Sequence, residues 1–356
     1  MDSSEILPTE EVFFNPFSTD VVVNSCLLVV TILLSTVGVI GNTLVIGSVF
    51  AYKPLRRLGN AFIVNLAVAD LFVSAFINYF GIIGVLTHGE YFHKKPFLCE
   101  LIGIVCITSC SCSLWSVAAI SLNRYVAICH RLYYPRIFNR YTMMAIIPLM
   151  WTICFCIDMP NLFGWGAHSF DARVMLCTYD YMKSYSYTIF FIITGFLIPL
   201  VAVIFSYTTI FRYARAIKKD VERISKQDGQ PKGIKDSDRR LLRSIMIIMV
   251  VFFTMWSPYS VVVFFDYQGQ WPRALYVFTV VLAHLNSCVN SILYAATNKM
   301  FRKGYAQFLK VTLCMICYQL GSKSLDHDNF SSSTGSSTVS ARVLKRGHAA
   351  QNTVRQ

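Results

Sequence analysis

The sequence predicts an all-α membrane protein: a seven-transmembrane helix bundle followed by a short cytoplasmic amphipathic helix. Two observations predict this fold. The 356-residue chain is 55% hydrophobic and only 14% charged, whereas about a quarter of the residues in soluble domains are charged. Its apolar residues also form seven blocks, each long enough to cross about 30 Å of hydrocarbon as a helix. The predicted spans are 22–50, 60–86, 97–122, 143–165, 185–211, 244–265 and 274–297.

The distribution of charge predicts an extracellular N-terminus and a cytoplasmic C-terminus. The predicted N-terminal tail, 1–21, contains five acidic residues and neither Lys nor Arg. Of the 32 Lys and Arg residues in the chain, only five fall on the same side of the membrane as this tail: Lys94, Lys95, Arg173, Lys183 and Arg273. By the positive-inside rule, the loops that hold the others face the cytoplasm. The net charge of +13 is therefore a topology signal, and nucleic acid is not an expected partner.

The predicted topology also assigns different roles to the 12 cysteines of the chain, according to their position relative to the membrane. Cys99 and Cys177 lie at the predicted outer face, which is oxidising, so we expect one disulfide to hold the loop after span four over the bundle. Cysteines within the spans are expected to serve as small packing residues. Cys314 and Cys317 follow span seven on the cytoplasmic side and are candidates for palmitoylation.

The chain after the spans is predicted to form two segments. Residues 298–310 alternate aromatic and basic side chains with helical spacing, which predicts an amphipathic helix at the cytoplasmic membrane surface. Residues 311–356 are expected to be a cytoplasmic tail that is largely disordered, because its end is polar and rich in Ser and Thr.

Polar residues inside the predicted spans are candidates for function, because polar groups are costly in hydrocarbon. Asp70 lies in mid-membrane in span two, and three neutral polar residues accompany it: Ser113, Asn286 and Asn290. One carboxylate with several neutral oxygens suits a small hard cation such as sodium. The same residues also suit a hydrogen-bonded network that packs the helices together. Spacing alone leaves both interpretations open.

Seven short motifs occur in the order typical of one receptor family. They are "GN" at 41–42, "NLAVAD" at 65–70, "NRY" at 123–125, Trp151, Pro199 with Tyr207, "FTMWSP" at 253–258 and "NSILY" at 290–294. From about 22 to 310 the chain therefore resembles the rhodopsin-type (class A) G-protein-coupled receptors. The resemblance implies a sodium site at Asp70, Ser113, Asn286 and Asn290, and no cofactor beyond such an allosteric ion.

The resemblance also implies a coupling and activation switch for a heterotrimeric G protein. Its expected residues are Asn123, Arg124, Tyr125, Tyr207, Asp238, Phe252, Trp256 and Tyr294. Trp256, two residues before Pro258, is either a packed aromatic or a lever that senses the cavity above it. Asn123 departs from the family, which has Asp at this position. We therefore expect looser restraint of Arg124 and raised basal signalling, with Asp238 as a substitute partner for the arginine.

Two positions limit the class of ligand. Amine receptors have an aspartate in span three where this chain has Cys106, and opsins have a lysine in span seven where it has His284. The resemblance thus disfavours both a monoamine ion pair and a retinal-linked photoreceptor.

A further resemblance is to melatonin receptors, which share "NRY", a residue other than proline in the span-seven motif, and "PN" at 160–161. In those receptors, residues matching Asn161 and Tyr179 bind the methoxy group and stack on the ligand. Tyr181 and Gly195 depart, because they replace a glutamine and a histidine of that pocket. Asn161 is equally well explained as a residue that caps or packs the end of span four.

The predicted function is therefore that of a plasma-membrane receptor for a small, uncharged, aromatic or lipid-like ligand. The expected pocket consists of Cys106, Asn161, Tyr179, Tyr181, Trp256, Tyr259, Ser260 and His284. The expected partners are membrane lipid and a G protein of the inhibitory class, with arrestin and receptor kinases acting on the tail. A small-peptide receptor, or an opsin-like receptor without the retinal lysine, is the alternative. A channel, a transporter and an enzyme are disfavoured, because the spans contain neither a continuous polar path nor a nucleophile or metal motif.

Overall fold

The computed structural model describes residues 15–228 and 236–332 of the chain. Side chains are described for residues 15–217, 246, 247 and 249–315. Six helices in this part of the chain are long and apolar enough to cross a membrane: Val21–Ala51, Leu58–Leu86, Pro96–Cys129, Arg140–Asn161, Tyr185–Ile217 and Arg273–Thr297. The sixth span in chain order is the helix Asp236–Phe265, of which Met249–Phe265 is the described apolar part. The seven predicted spans are thus confirmed, and they are called spans one to seven below.

Span three lies at the centre of the bundle. Of the 18-residue apolar window in this span, 61% is buried, compared with 22% in span one. Span three contains both Cys106 and the "NRY" motif. This central helix therefore connects the two ends of the bundle.

Two spans contain a turn of π-helix, Phe72–Ile77 in span two and Ile192–Leu197 in span five. A π-helical turn adds a residue to the helix, so the side chains that follow are rotated relative to a regular helix. Asn78, the first residue after the turn in span two, is buried, and its side chain reaches span seven.

A two-stranded antiparallel hairpin covers one end of the bundle. Strand β1, His168–Asp171, pairs with strand β2, Leu176–Tyr179. A disulfide joins Cys177 of β2 to Cys99 of span three, as expected from the sequence. We call this the disulfide end of the bundle, and the opposite end, where Arg124 lies, the arginine end.

A glycine in span two allows the hairpin to lie close to the bundle. A Cβ atom at Gly84 would lie 2.2 Å from the carbonyl oxygen of Met175, which is at the turn of the hairpin. Met175 has a positive φ of 56° and is completely buried. The turn therefore packs on a helix position that has no room for a side chain.

The helix after span seven runs from Lys299 to Ser332 and is thus longer than the predicted segment 298–310. Phe301 is buried near its start, and its ring stacks on Tyr294 of span seven with centroids 4.9 Å apart. A second compact unit begins at Leu309. In this unit Cys314 is exposed, whereas the side chain of Cys317 and the tail after Ser332 lie outside the described residues.

Candidate ligand cavity and coupling site

A cavity lies beneath the hairpin, between spans three, five, six and seven. Five of the eight residues predicted to bind a ligand line it: Cys106, Tyr181, Trp256, Tyr259 and His284. The hairpin supplies the roof through Asp171, Val174, Leu176 and Thr178. Most of this lining is apolar or aromatic, as in the small-molecule sites of proteins.

Among the described residues that line this cavity, Asp171 is the only acidic one, and Arg173 neutralises its charge. The Asp171 carboxylate accepts hydrogen bonds from Arg173 Nε at 3.0 Å and Arg173 Nη2 at 3.3 Å. Burial alone would lower the pKa of Arg173, but the adjacent Asp171 outweighs burial and raises that pKa above its ordinary value. Arg173 is therefore charged at neutral pH, and its ion pair with Asp171 lies at the roof of the cavity.

Asn161, Tyr179 and Ser260 do not line the cavity. Asn161 is buried and donates a hydrogen bond from Nδ2 to Asp158 Oδ1 at 2.9 Å. His168 Nε2 contacts the same oxygen at 3.1 Å. This arrangement favours the second interpretation of Asn161, in which it packs the end of span four.

The other two residues have local partners as well. Tyr179 packs against Phe191 and Tyr187, with ring centroids 5.1 and 6.0 Å away. It borders a separate groove above the hairpin. Ser260 Oγ donates to the carbonyl oxygen of Trp256, one turn back in the same helix, at 3.2 Å.

Above the cavity, two arginines connect the hairpin to other elements. The Arg173 guanidinium lies over the Tyr276 ring, 4.5 Å from its centroid. Arg273, at the start of span seven, donates to the carbonyl oxygen of Arg173 at 2.9 Å, to Asp20 at 2.8 Å and to Asn24 at 2.6 Å. These contacts, which we call the arginine clasp, join the N-terminal segment, the hairpin and span seven over the cavity.

Two of the three residues predicted to accompany Asp70 form hydrogen bonds with it. Ser113 Oγ donates to Asp70 Oδ1 at 2.6 Å, and Asn290 Nδ2 donates to Asp70 Oδ2 at 2.9 Å. Asn286 is buried, but Asp70 is not its hydrogen-bond partner, and its Oδ1 has no partner among the described residues. The donor set therefore consists of one carboxylate and neutral oxygens, which suits a monovalent hard cation.

A neighbouring polar network packs the helices. Asn65 donates from Nδ2 to Ser116 Oγ at 2.8 Å and accepts from Trp151 Nε1 at 2.9 Å. These bonds connect spans two, three and four, and Asn65 is separate from the Asp70 group. Asn65 and its partners therefore fit the second interpretation of intramembrane polar residues, a hydrogen-bonded network that packs the helices together.

At the arginine end, the hydrogen-bond partner of Asn123 is Tyr134 and not Arg124. Asn123 is buried, and its Nδ2 donates to Tyr134 Oη in the loop after span three at 3.3 Å. The Nε atom of Arg124 is buried and has no hydrogen-bond partner among the described residues. Tyr207 and Tyr294 lie close enough to interact electrostatically with its guanidinium.

The remaining residues of the predicted switch have varied surroundings. Tyr125 Oη is 2.8 Å from His130 Nε2. Phe252 is fully buried and packs edge-on against Phe253. The side chain of Asp238 lies outside the described residues, so its pairing with Arg124 stays a prediction.

Several residues of the site were not singled out from the sequence. Asn78 is one, although it is a polar residue inside a span and the signal used for Asp70 applies to it. Asp171 ends strand β1 and Arg173 lies in the turn that follows, where sequence gives no indication of which residues turn inward. Tyr276 is one of 19 tyrosines in the chain, and only its position under Arg173 distinguishes it.

Comparison with known proteins agrees with this architecture. The family model for the 7 transmembrane receptor (rhodopsin family) matches residues 41–294. Melatonin receptor type 1A of Ovis aries is 32% identical over 284 residues, which cover 78% of this chain and 75% of that receptor. Melatonin receptor type 1A of Mus musculus is 33% identical over 299 residues, 82% of this chain and 81% of that receptor.

A solved structure shares the fold. The crystal structure of squid rhodopsin matches with a TM-score of 0.71 and 21% identity, over 86% of this chain and 92% of that one. Together with the family match, which covers most of the chain, these findings identify a signalling receptor and not an enzyme. The chain belongs to the rhodopsin family of seven-transmembrane, G-protein-coupled receptors and is of the melatonin-receptor type.

Proposed function

We propose that this receptor binds a small, uncharged, aromatic or lipid-like ligand in the cavity beneath the hairpin and activates a G protein of the inhibitory class. One observation carries the proposal: the acidic residue of the cavity, Asp171, is paired with Arg173. An amine ligand would have to compete with that guanidinium. An uncharged ligand leaves the pair intact and gains from the apolar walls.

Melatonin is the first ligand to test, because the relatives described above are melatonin receptors. The experiment is saturation binding of a radiolabelled melatonin analogue to membranes from cells that express the receptor, compared with cells that do not. Saturable binding that is followed by a fall in cyclic AMP supports the proposal. Absence of saturable binding removes melatonin, and release of calcium without any change in cyclic AMP contradicts the G-protein class.

We further propose that the disulfide end is extracellular in the plasma membrane. The acidic N-terminal tail and the few basic residues near the hairpin support this orientation. An antibody against an N-terminal epitope tag should stain intact cells, and one against a C-terminal tag should stain only permeabilised cells. The reverse pattern contradicts the orientation.

At the arginine end we propose that Arg124, Tyr207 and Tyr294 form the surface that rearranges to receive the G protein. The absence of a hydrogen-bond partner for Arg124 Nε among the described residues supports this role. A buried guanidinium without a complete set of acceptors is poorly stabilised, so it gains by turning toward a partner. Nucleotide exchange on a purified G protein by an Arg124→Ala variant should fall to background while ligand binding persists.

Asp70 is proposed to bind a sodium ion together with Ser113 and Asn290, with Asn286 supplying a further oxygen. Bound sodium would stabilise the resting arrangement and act as an allosteric ligand. The chain's own contribution is a fully buried carboxylate held by two hydrogen bonds between spans two, three and seven.

A further inference from the structure

Cys106 lies in the cavity next to a histidine. Both residues line the cavity, Cys106 from span three and His284 from span seven. The Cys106 thiol is buried and free, and the His284 ring and the Cys110 thiol, one turn along the same helix, lie close enough to interact with it electrostatically. A cysteine with a histidine beside it is the arrangement in which an imidazole activates a thiol.

A third residue orients the histidine. His284 Nδ1 lies 2.7 Å from Asn78 Oδ1, and because an amide oxygen can only accept, the ring carries its proton on Nδ1. Nε2 then has a free lone pair, which is the form of imidazole that accepts a proton. Asn78 is almost fully buried and follows the π-helical turn of span two, so its position is fixed by the fold.

We propose that Cys106, His284 and Asn78 form a nucleophilic centre that makes Cys106 a covalent modification site for a neutral, apolar α,β-unsaturated carbonyl compound. This inference rests on the cavity of the proposed function and adds a reaction to it. The cavity admits such a compound because its walls are apolar and its one acidic residue is paired.

The reaction is an addition and needs no oxidant and no leaving group. His284 Nε2 takes the thiol proton, and the Cys106 sulfur forms a bond to the β-carbon of the compound. The electron pair of the carbon–carbon double bond moves to the carbonyl oxygen as an enolate. The proton held by His284 then returns to the α-carbon, and the product is a thioether with all atoms retained.

Cys110 provides an internal control. It lines the same cavity and is as deeply buried as Cys106, with 5% of its surface exposed compared with 4%. A compound that merely enters the cavity therefore has similar access to both thiols. Cys156, which is exposed, reports general thiol reactivity.

The test is a time course of the purified full-length receptor with N-ethylmaleimide, a neutral α,β-unsaturated carbonyl compound, with adducts assigned by peptide mass spectrometry. We expect Cys106 to react at least about tenfold faster than Cys110, and His284→Ala to remove that advantage, since a general base typically contributes 10²-fold or more. Labelling of Cys156 should be the same in both proteins. Cys106→Ser should abolish the fast adduct without moving it to Cys110.

The pH dependence distinguishes an activating from a structural role. In the wild type the rate of Cys106 labelling should change little from about pH 7 to 8.5, because His284 takes the thiol proton, whereas in His284→Ala it should rise with pH over this range, because only the thiolate reacts. If His284→Ala does not fold, Asn78→Ala, which retains the base but not its orienting acceptor, should give an intermediate rate.

Equal rates for Cys106 and Cys110, or a Cys106 rate unaffected by His284→Ala, would overturn the proposal. Such a result leaves the receptor function standing, because reversible ligand binding and nucleotide exchange are measured separately. Conversely, fast labelling of Cys106 in a receptor that no reversible cavity ligand activates would support this inference and contradict the proposed function.

Discussion

Asn123 donates a hydrogen bond from its side-chain amide to Tyr134 Oη at 3.3 Å, and so connects the motif that contains Arg124 to the loop after span three. A Cβ atom at Gly59 would lie only 2.7 Å from Asn123 Oδ1, so the side chain is enclosed between span two and the loop. Asn123 therefore supplies no charge to Arg124, and its side chain is held by Tyr134.

The first prediction concerns basal signalling. In Asn123→Asp a carboxylate stands next to Arg124, and a partly buried ion pair should stabilise the resting state, so ligand-independent nucleotide exchange should fall severalfold. The measurement is exchange on a purified G protein at equal receptor concentration. Unchanged or increased basal exchange in Asn123→Asp would contradict the view that the missing acid loosens the restraint.

The second prediction concerns Tyr134 itself. Tyr134→Phe removes the hydroxyl and leaves the Asn123 amide buried without this acceptor, which costs about 1–3 kcal/mol. Ligand-independent exchange should rise, because the loop is no longer held to Asn123. Tyr133→Phe is the matched control, since Tyr133 is exposed next to it, and an equal rise in both variants would show that the hydrogen bond is not responsible.

The third prediction concerns sodium. Agonist affinity of the wild type should fall as sodium replaces potassium at constant ionic strength, because the ion binds the resting arrangement around Asp70. Asp70→Asn removes the carboxylate and should abolish this dependence, and Ser113→Ala should weaken it. A sodium effect that persists in Asp70→Asn would place the ion elsewhere.

The fourth prediction concerns the hairpin. Gly84→Ala puts a Cβ atom against the carbonyl oxygen of Met175 at 2.2 Å, a contact that forces the hairpin to shift. Overpacking of this kind costs about 1–3 kcal/mol, so the thermal stability of the purified receptor and its ligand affinity should both fall. Gly81→Ala, one turn earlier, meets nothing nearer than 3.5 Å and should resemble the wild type.

The fifth prediction concerns the arginine clasp. Arg273→Ala removes contacts to Asp20, Asn24 and the carbonyl oxygen of Arg173, so the roof should open more often and bound ligand should dissociate severalfold faster. Lys94→Ala removes an exposed ion pair at the same end of the bundle and should leave the dissociation rate unchanged. Equal rates in all three proteins would show that the clasp does not limit exit.

The sequence predicted the bundle well because a helix that crosses the membrane needs about 20 consecutive, mostly apolar residues, and such blocks are easily recognised. The disulfide followed from the same topology, since it left one pair of cysteines at the outer face. In both cases a single physical constraint acts on residues that are easily recognised along the chain.

The details of the site were harder to predict, because they depend on which way side chains turn. The resemblance to melatonin receptors places Asn161 in the cavity, yet its side chain donates to Asp158, three positions earlier, and no sequence pattern indicates this pairing. Asn78 reaches His284 only because a π-helical turn rotates the end of span two. The positions of the Asp171 and Arg173 side chains depend on the path of the hairpin turn, which has no periodic sequence pattern.

The most direct test of ligand binding in this cavity fills the cavity with a tryptophan and compares this with a tryptophan introduced outside it. Val280 lines the cavity, whereas Phe278 on the same helix is 58% exposed toward the outside of the bundle. The measurement is nucleotide exchange on a G protein as a function of ligand concentration, using a ligand found to activate the wild type. We expect Val280→Trp to abolish the ligand response and Phe278→Trp to retain it, and a full response in correctly folded Val280→Trp would contradict binding in this cavity.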